Sequence, residues 1–74
     1  MKNKKLLKEI EALEKEIAEL EYKRSRSLAS LVDALVDKRD PNGTDVQYFK
    51  SFTAQIEVKR ERLQALTEQA KGKL

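Results

Sequence analysis

The sequence predicts an all-α chain: an antiparallel two-helix hairpin, coiled-coil-like, that dimerises into a four-helix bundle. Three observations lead there. Apolar residues recur at alternating steps of three and four along two long stretches. A single turn cluster, Asp40-Pro41-Asn42-Gly43, separates the stretches. The composition, 39% charged with 2 Gly and 1 Pro in 74 residues, favours long helices over sheet. The expected organisation is one domain over residues 1–74, with a helix over about 3–38, a turn over 39–44 and a helix over 45–71.

The first helix is read from Leu6, Ile10, Leu13, Ile17 and Leu20, which keep one stripe on a helix. The stripe is expected to resume at Leu28, Leu31 and Leu35, flanked by Val32 and Val36. Asn3 is an acceptable N-cap, although the lysines around it oppose the helix dipole. Pro41 disfavours a helical residue before it, and Gly43 is expected to supply a positive φ. Thr44-Asp45-Val46-Gln47 then fits a capping box, with Thr44 as N-cap and Gln47 at the third helical position. The second stripe is Phe49, Phe52, Ile56, Lys59, Leu63, Leu66 and Ala70, broken only by Lys59, and Gly72 is placed to end the helix.

A short connection makes the helices antiparallel neighbours, so facing residues have a nearly constant sum of numbers. Holding that sum constant sets Arg24 level with Lys59, so the polar break of each stripe falls opposite that of the other. Leu35 then faces Phe49, Leu31 faces Phe52, Leu28 faces Ile56, Leu20 faces Leu63, Ile17 faces Leu66 and Leu13 faces Ala70. The same register brings Lys71 and Lys73 toward Glu11 and Glu9, Lys15 toward Glu68, and Arg62 toward Glu21. It also leaves Leu6, Leu7 and part of Ile10 beyond the end of the second helix. At the turn end, Val32, Val36, Val46 and Tyr48 widen the apolar face past what one helix can cover. A chain this short has little apolar area with which to fold alone, so self-association is expected.

Composition removes several function classes. Without Cys or His there are no disulfides, zinc fingers, thiol or imidazole catalysts, and no Glu-x-x-His pair of a di-metal bundle. The turn has oxygen ligands but not the twelve-residue loop and closing Glu of a calcium hand. There is no phosphate-binding loop or dinucleotide fingerprint. No cofactor, metal, small-molecule substrate or catalytic residue is expected, and the reading is non-enzymatic. A hydrolytic hairpin would need activity lost on changing an exposed acid. The basic start, Met1-Lys2-Asn3-Lys4-Lys5, is followed by Leu6-Leu7 and then Lys8-Glu9, so no signal-peptide core or membrane span is expected. An interfacial anchor over residues 1–7 would have too short an apolar face. The expected location is cytoplasmic.

Charge is patterned in blocks: four lysines and no acid in residues 1–8, then six glutamates with only Lys15 in residues 9–21. Lys23, Arg24, Arg26, Lys59, Arg60 and Arg62 gather in mid-hairpin and are the candidate nucleic-acid or anion contacts. The net charge of +3 favours the alternative, a solvated band that sets register. Phe49 and Phe52 belong to the core, Tyr48 beside it can anchor a partner, and Tyr22 alone is placed for base stacking.

The plan resembles small plasmid RNA-binding hairpins that dimerise into four-helix bundles. The segment Asn42-Gly43-Thr44-Asp45-Val46-Gln47-Tyr48 is similar to the turn and second-helix start of type III secretion needle subunits and their small co-chaperones. Neither resemblance transfers a binding residue. The expected function is a protein–protein interaction module, as an adaptor, co-chaperone or regulatory subunit, paired with itself or with a partner helix. Its interface residues are read as Leu6, Leu7, Ile10, Val32, Val36 and Tyr48. A nucleic-acid-binding bundle is the rival.

Overall fold

The computed structural model describes residues 2–72, with side chains from residue 4 onward. Two helices, α1 (Lys2–Val36) and α2 (Gly43–Gly72), pack antiparallel in a hairpin about 55 Å long and 16 × 14 Å across. There is no strand among the described residues. The helix α1 runs unbroken through residues 23–27, the polar stretch between its two apolar runs.

The inward side chains of α1 follow one strict alternation of four and three: Leu6, Ile10, Leu13, Ile17, Leu20, Arg24, Ser27, Leu31 and Ala34 are buried or half-buried. After Arg24 the row therefore differs from expectation. Ser27 and Ala34 take the seam, while Leu28 and Leu35 are 47% and 68% exposed. The cause is phase. Passing from Leu20 through Arg24 to Leu28 requires two successive steps of four, which an unbroken helix facing one neighbour does not make without a local change of winding. On α2 the expected row holds, with Phe49, Phe52, Ile56, Lys59, Leu63, Leu66 and Ala70 all turned inward.

The core is centred on Ile17, Leu20 and Ile56, with Phe52 and Leu63 packed against them. Ile56 thus meets the Ile17 and Leu20 turns of α1, not Leu28. Lys59 reaches Glu16 at 2.7 Å and Arg60 pairs with Glu21, so Arg24 is not level with Lys59. Both shifts amount to about one heptad. A slip of seven residues leaves each stripe facing the other, so matching apolar rows cannot distinguish the two registers. What does distinguish them is burial at the open end. The observed register sets Leu6 level with Ala70 and buries it to 7% exposure, where the expected one left it uncovered.

The Lys59 pair moves with the register, to Glu16, whereas Glu21 takes Arg60, only two residues from the expected Arg62. The pairings expected for Lys15 with Glu68 and Lys71 with Glu11 do not form. The pairing of Lys73 lies outside the described residues.

The turn is built differently at each end. Lys38 adopts φ 56°, the left-handed conformation, with its amide donating to the Leu35 carbonyl at 3.1 Å and the Arg39 amide donating to the Ala34 carbonyl at 2.8 Å. These two bonds close a Schellman motif on a lysine, a position that usually takes glycine. It stops α1 at Val36, two residues before the expected end. The positive φ of the turn thus falls on Lys38 and not on Gly43, which is the first residue of α2. Asn42, not Thr44, caps α2. Its side-chain Oδ1 accepts the Thr44 amide at 2.8 Å, and its carbonyl accepts the Val46 amide at 3.1 Å. This places Asp45 in the first turn, where its charge complements the helix dipole.

Candidate interaction surfaces

Because Ser27 and Ala34 occupy the seam, the large apolar residues beside them are displaced outward. Leu28, Val32 and Leu35 stand at i, i+4 and i+7, one face of α1, and Val36 lies one turn beyond Val32. Their exposures run from 46% to 73%. The strip occupies the last two and a half turns of α1, about 12 Å of helix at 1.5 Å per residue. It continues the heptad row of Glu14 and Glu21, so it lies on the flank where Glu21 pairs with Arg60.

The opposite flank is polar. Lys23, Arg26, Ser27 and Ser30 line a shallow groove with Asp45, Tyr48 and Phe52. Tyr48 lies there with its ring stacked on Phe52, centroids 6.0 Å apart and planes 14° from parallel. The ring is half exposed and held by the aromatic beneath it.

The six interface residues read from the sequence therefore do not share a face. Leu6 is buried by its own chain and Ile10 is half-buried in the seam, so neither offers a free surface within the hairpin. Leu7 is exposed at the far end of the strip's heptad row, with Glu14 and Glu21 between. Val32 and Val36 belong to the strip, whereas Tyr48 is on the other flank. Sequence reasoning assigned Leu28 and Leu35 to the core. The signal that could have placed them outside is the strict heptad count from Leu6, carried through Arg24 without regard to residue size.

The six cations do not all share a face: Lys23 lines one groove with Arg26 and a neighbouring one with Lys59, Glu16 and Glu19, while the other three lie elsewhere. Lys59 and Arg60 are about 100° apart on α2 and straddle the Ile56–Leu63 row, so their ion pairs run down opposite flanks. Arg24 is half-buried in the seam. Lys23 and Arg26 share the groove with Asp45, and Arg62 is exposed elsewhere on α2. Clustered phosphate recognition requires such groups on one face. Among the described residues no group of three or more Asp or Glu side chains is arranged to hold a metal ion, and no helix is long and apolar enough to cross a membrane.

The chain matches no protein-family model, no curated protein and no solved structure.

Proposed function

We propose that this chain is a non-enzymatic protein–protein interaction module, a small adaptor, co-chaperone or regulatory subunit. Its working face is the strip Leu28, Val32, Leu35 and Val36. One observation carries the reading: the last turns of α1 hold Leu28, Val32, Leu35 and Val36 outward as a continuous row while Ser27 and Ala34 take seam positions beside them. Single exposed leucines are ordinary, but a contiguous apolar row on a rigid helix is the form in which partner helices are recognised. The charged flanks, with Glu21 and Arg60 on one side and Asp33 toward the other, select orientation.

Lys59 and Arg60 are already paired with glutamates, and the flank that gathers Lys23, Arg26 and Lys59 also carries Glu16, Glu19 and Asp45, which weighs against the nucleic-acid rival.

The test is site-specific photo-cross-linking in the cells that make the protein, with a photoreactive residue at Val32 or, as control, at the exposed Gln55 on the opposite flank. Protein adducts are expected at Val32 and not at Gln55. No adduct at Val32, or equal adducts at both, would overturn the reading.

A further inference from the structure

We infer that Asn42 is a site of spontaneous covalent modification, where attack by the Gly43 backbone nitrogen expels the side-chain amide and the turn ages into aspartate and isoaspartate forms. Water is the only co-reactant.

The sequence sets the two reacting groups side by side. Asn42 precedes Gly43, whose missing side chain leaves its amide unshielded and free to rotate. A Cβ built on Gly43 would meet nothing within 4 Å, so no neighbour covers that amide. Gly43 is also the first residue of α2, where a helix has no partner of its own for the N–H. Every residue from 37 to 44 is exposed, so water reaches the site.

The chemistry balances with water alone. The Gly43 nitrogen gives up its proton and bonds to Asn42 Cγ, the Cγ–Nδ2 bond breaks, and ammonia leaves. Water then opens the cyclic imide. Cleavage of the ring bond between Cγ and nitrogen gives aspartate. Cleavage at the main-chain carbonyl gives isoaspartate, whose chain runs through Cβ and Cγ.

The cap gates this reaction. Oδ1 of Asn42 accepts the Thr44 amide at 2.8 Å, and the Asn42 carbonyl accepts the Val46 amide at 3.1 Å. Ring closure brings Cγ onto the Gly43 nitrogen, which breaks the first bond and turns the Asn42–Gly43 peptide out of its helix-starting orientation. The reaction therefore runs from the opened turn, and exposed turns open at small cost. The two products differ in what they do to α2. Aspartate keeps an acceptor for the Thr44 amide and adds a negative charge at the helix N-terminus, which the dipole favours. Isoaspartate exchanges the roles of the two carbonyls and lengthens the backbone by one carbon, so neither bond survives and the start of α2 is released.

The test is incubation of the full chain at neutral pH, folded and in unfolding guanidinium chloride, followed by mass spectrometry with fragmentation across residues 40–50. Conversion to the acid is expected at residue 42 in both, faster by at least about tenfold in the unfolded chain, where the cap is open. Gly43→Ala has free space for its Cβ and should fold as the parent does by circular dichroism. It should slow conversion by at least about tenfold, because the Cβ shields the amide and restricts its rotation. The separated aspartate chain should melt at or above the parent, and the isoaspartate chain below it. No conversion at residue 42 of the folded chain while the unfolded chain converts fully, or conversion indifferent to Gly43→Ala, would overturn the site. Equal rates in the folded and unfolded chains would overturn gating by the cap. An isoaspartate chain as stable as the parent would overturn the release of α2.

Discussion

The two halves of the hairpin obey one heptad phase but fill it differently. In the open half the seam of α1 holds Leu6, Ile10, Leu13, Ile17 and Leu20, and the residues outside it are mainly charged. In the turn half the seam holds Ser27, Leu31 and Ala34, the facing helix supplies Phe49 and Phe52, and Leu28 and Leu35 stand outside with Val32 and Val36. Aromatic rings against small residues keep the helices close, as large residues facing small ones do in well-packed cores. The lesson is that apolar content does not locate the core here. The open half uses its leucines to hold the hairpin together, while the turn half keeps four large aliphatics for something outside it.

The largest expected effect tests the assignment of the core. Ile56 is 1% exposed and packs with Ile17 and Leu20. Ile56→Ala should cost about 4 kcal/mol, read by urea unfolding, because it leaves a cavity that the helices cannot collapse into. A loss below about 1 kcal/mol would mean that the open half is not where stability resides. Next comes the seam of the turn half. Ser27 is buried, so Ser27→Leu should overpack it and cost about 2 kcal/mol. The expected register, with Leu28 inside, makes the opposite prediction of a neutral or stabilising change. A Ser27→Leu chain as stable as the parent would restore that register and dissolve the contrast between the halves.

Much of this architecture is legible in the letters. Two helices, one turn, the antiparallel pairing and the whole α2 row follow from spacing alone, because periodicity is a local property of each helix. The register does not, since displacing one helix by seven residues leaves the two apolar rows facing each other, and burial of Leu6 and the pairing of Lys59 with Glu16 separate the choices. The strip was hidden for a related reason. Reading the largest hydrophobic residue as the core residue puts Leu28 and Leu35 inside, whereas the helix's phase puts Ser27 and Ala34 there. The Asn42 cap was obscured by the adjacent Thr44, which carries an equally good capping signature.

A smaller effect probes an imperfection in the turn half. The hydroxyl of Thr53 is buried without a hydrogen-bond partner. Thr53→Val keeps the branched shape and removes the unsatisfied group, so it should stabilise the chain by about 1 kcal/mol. The readout is the urea midpoint at constant slope. A destabilised Thr53→Val chain would show that this hydroxyl is satisfied and the half is better packed than described.

The smallest effect concerns the link between the halves. Lys38 holds φ 56°, a conformation that crowds any side chain with a Cβ and that glycine adopts without strain. Two backbone bonds, from Lys38 to Leu35 and from Arg39 to Ala34, depend on it. Lys38→Gly relieves the crowding in the folded chain and adds freedom to the unfolded one, and the first term is the larger where φ is positive. The net gain should be about 0.7 kcal/mol, with Lys38→Ala close to the parent and Lys38→Val lower, since branching at Cβ worsens the same contact. That ordering, measured by thermal melts at one protein concentration, separates backbone strain from charge. If Gly and Ala gained equally, the benefit would come from removing a cation near Arg39, and the motif would not be what ends α1. If Gly alone gained, the helix would stop at Val36 because of the backbone, and the position of Val36 at the end of the strip would follow from that stop.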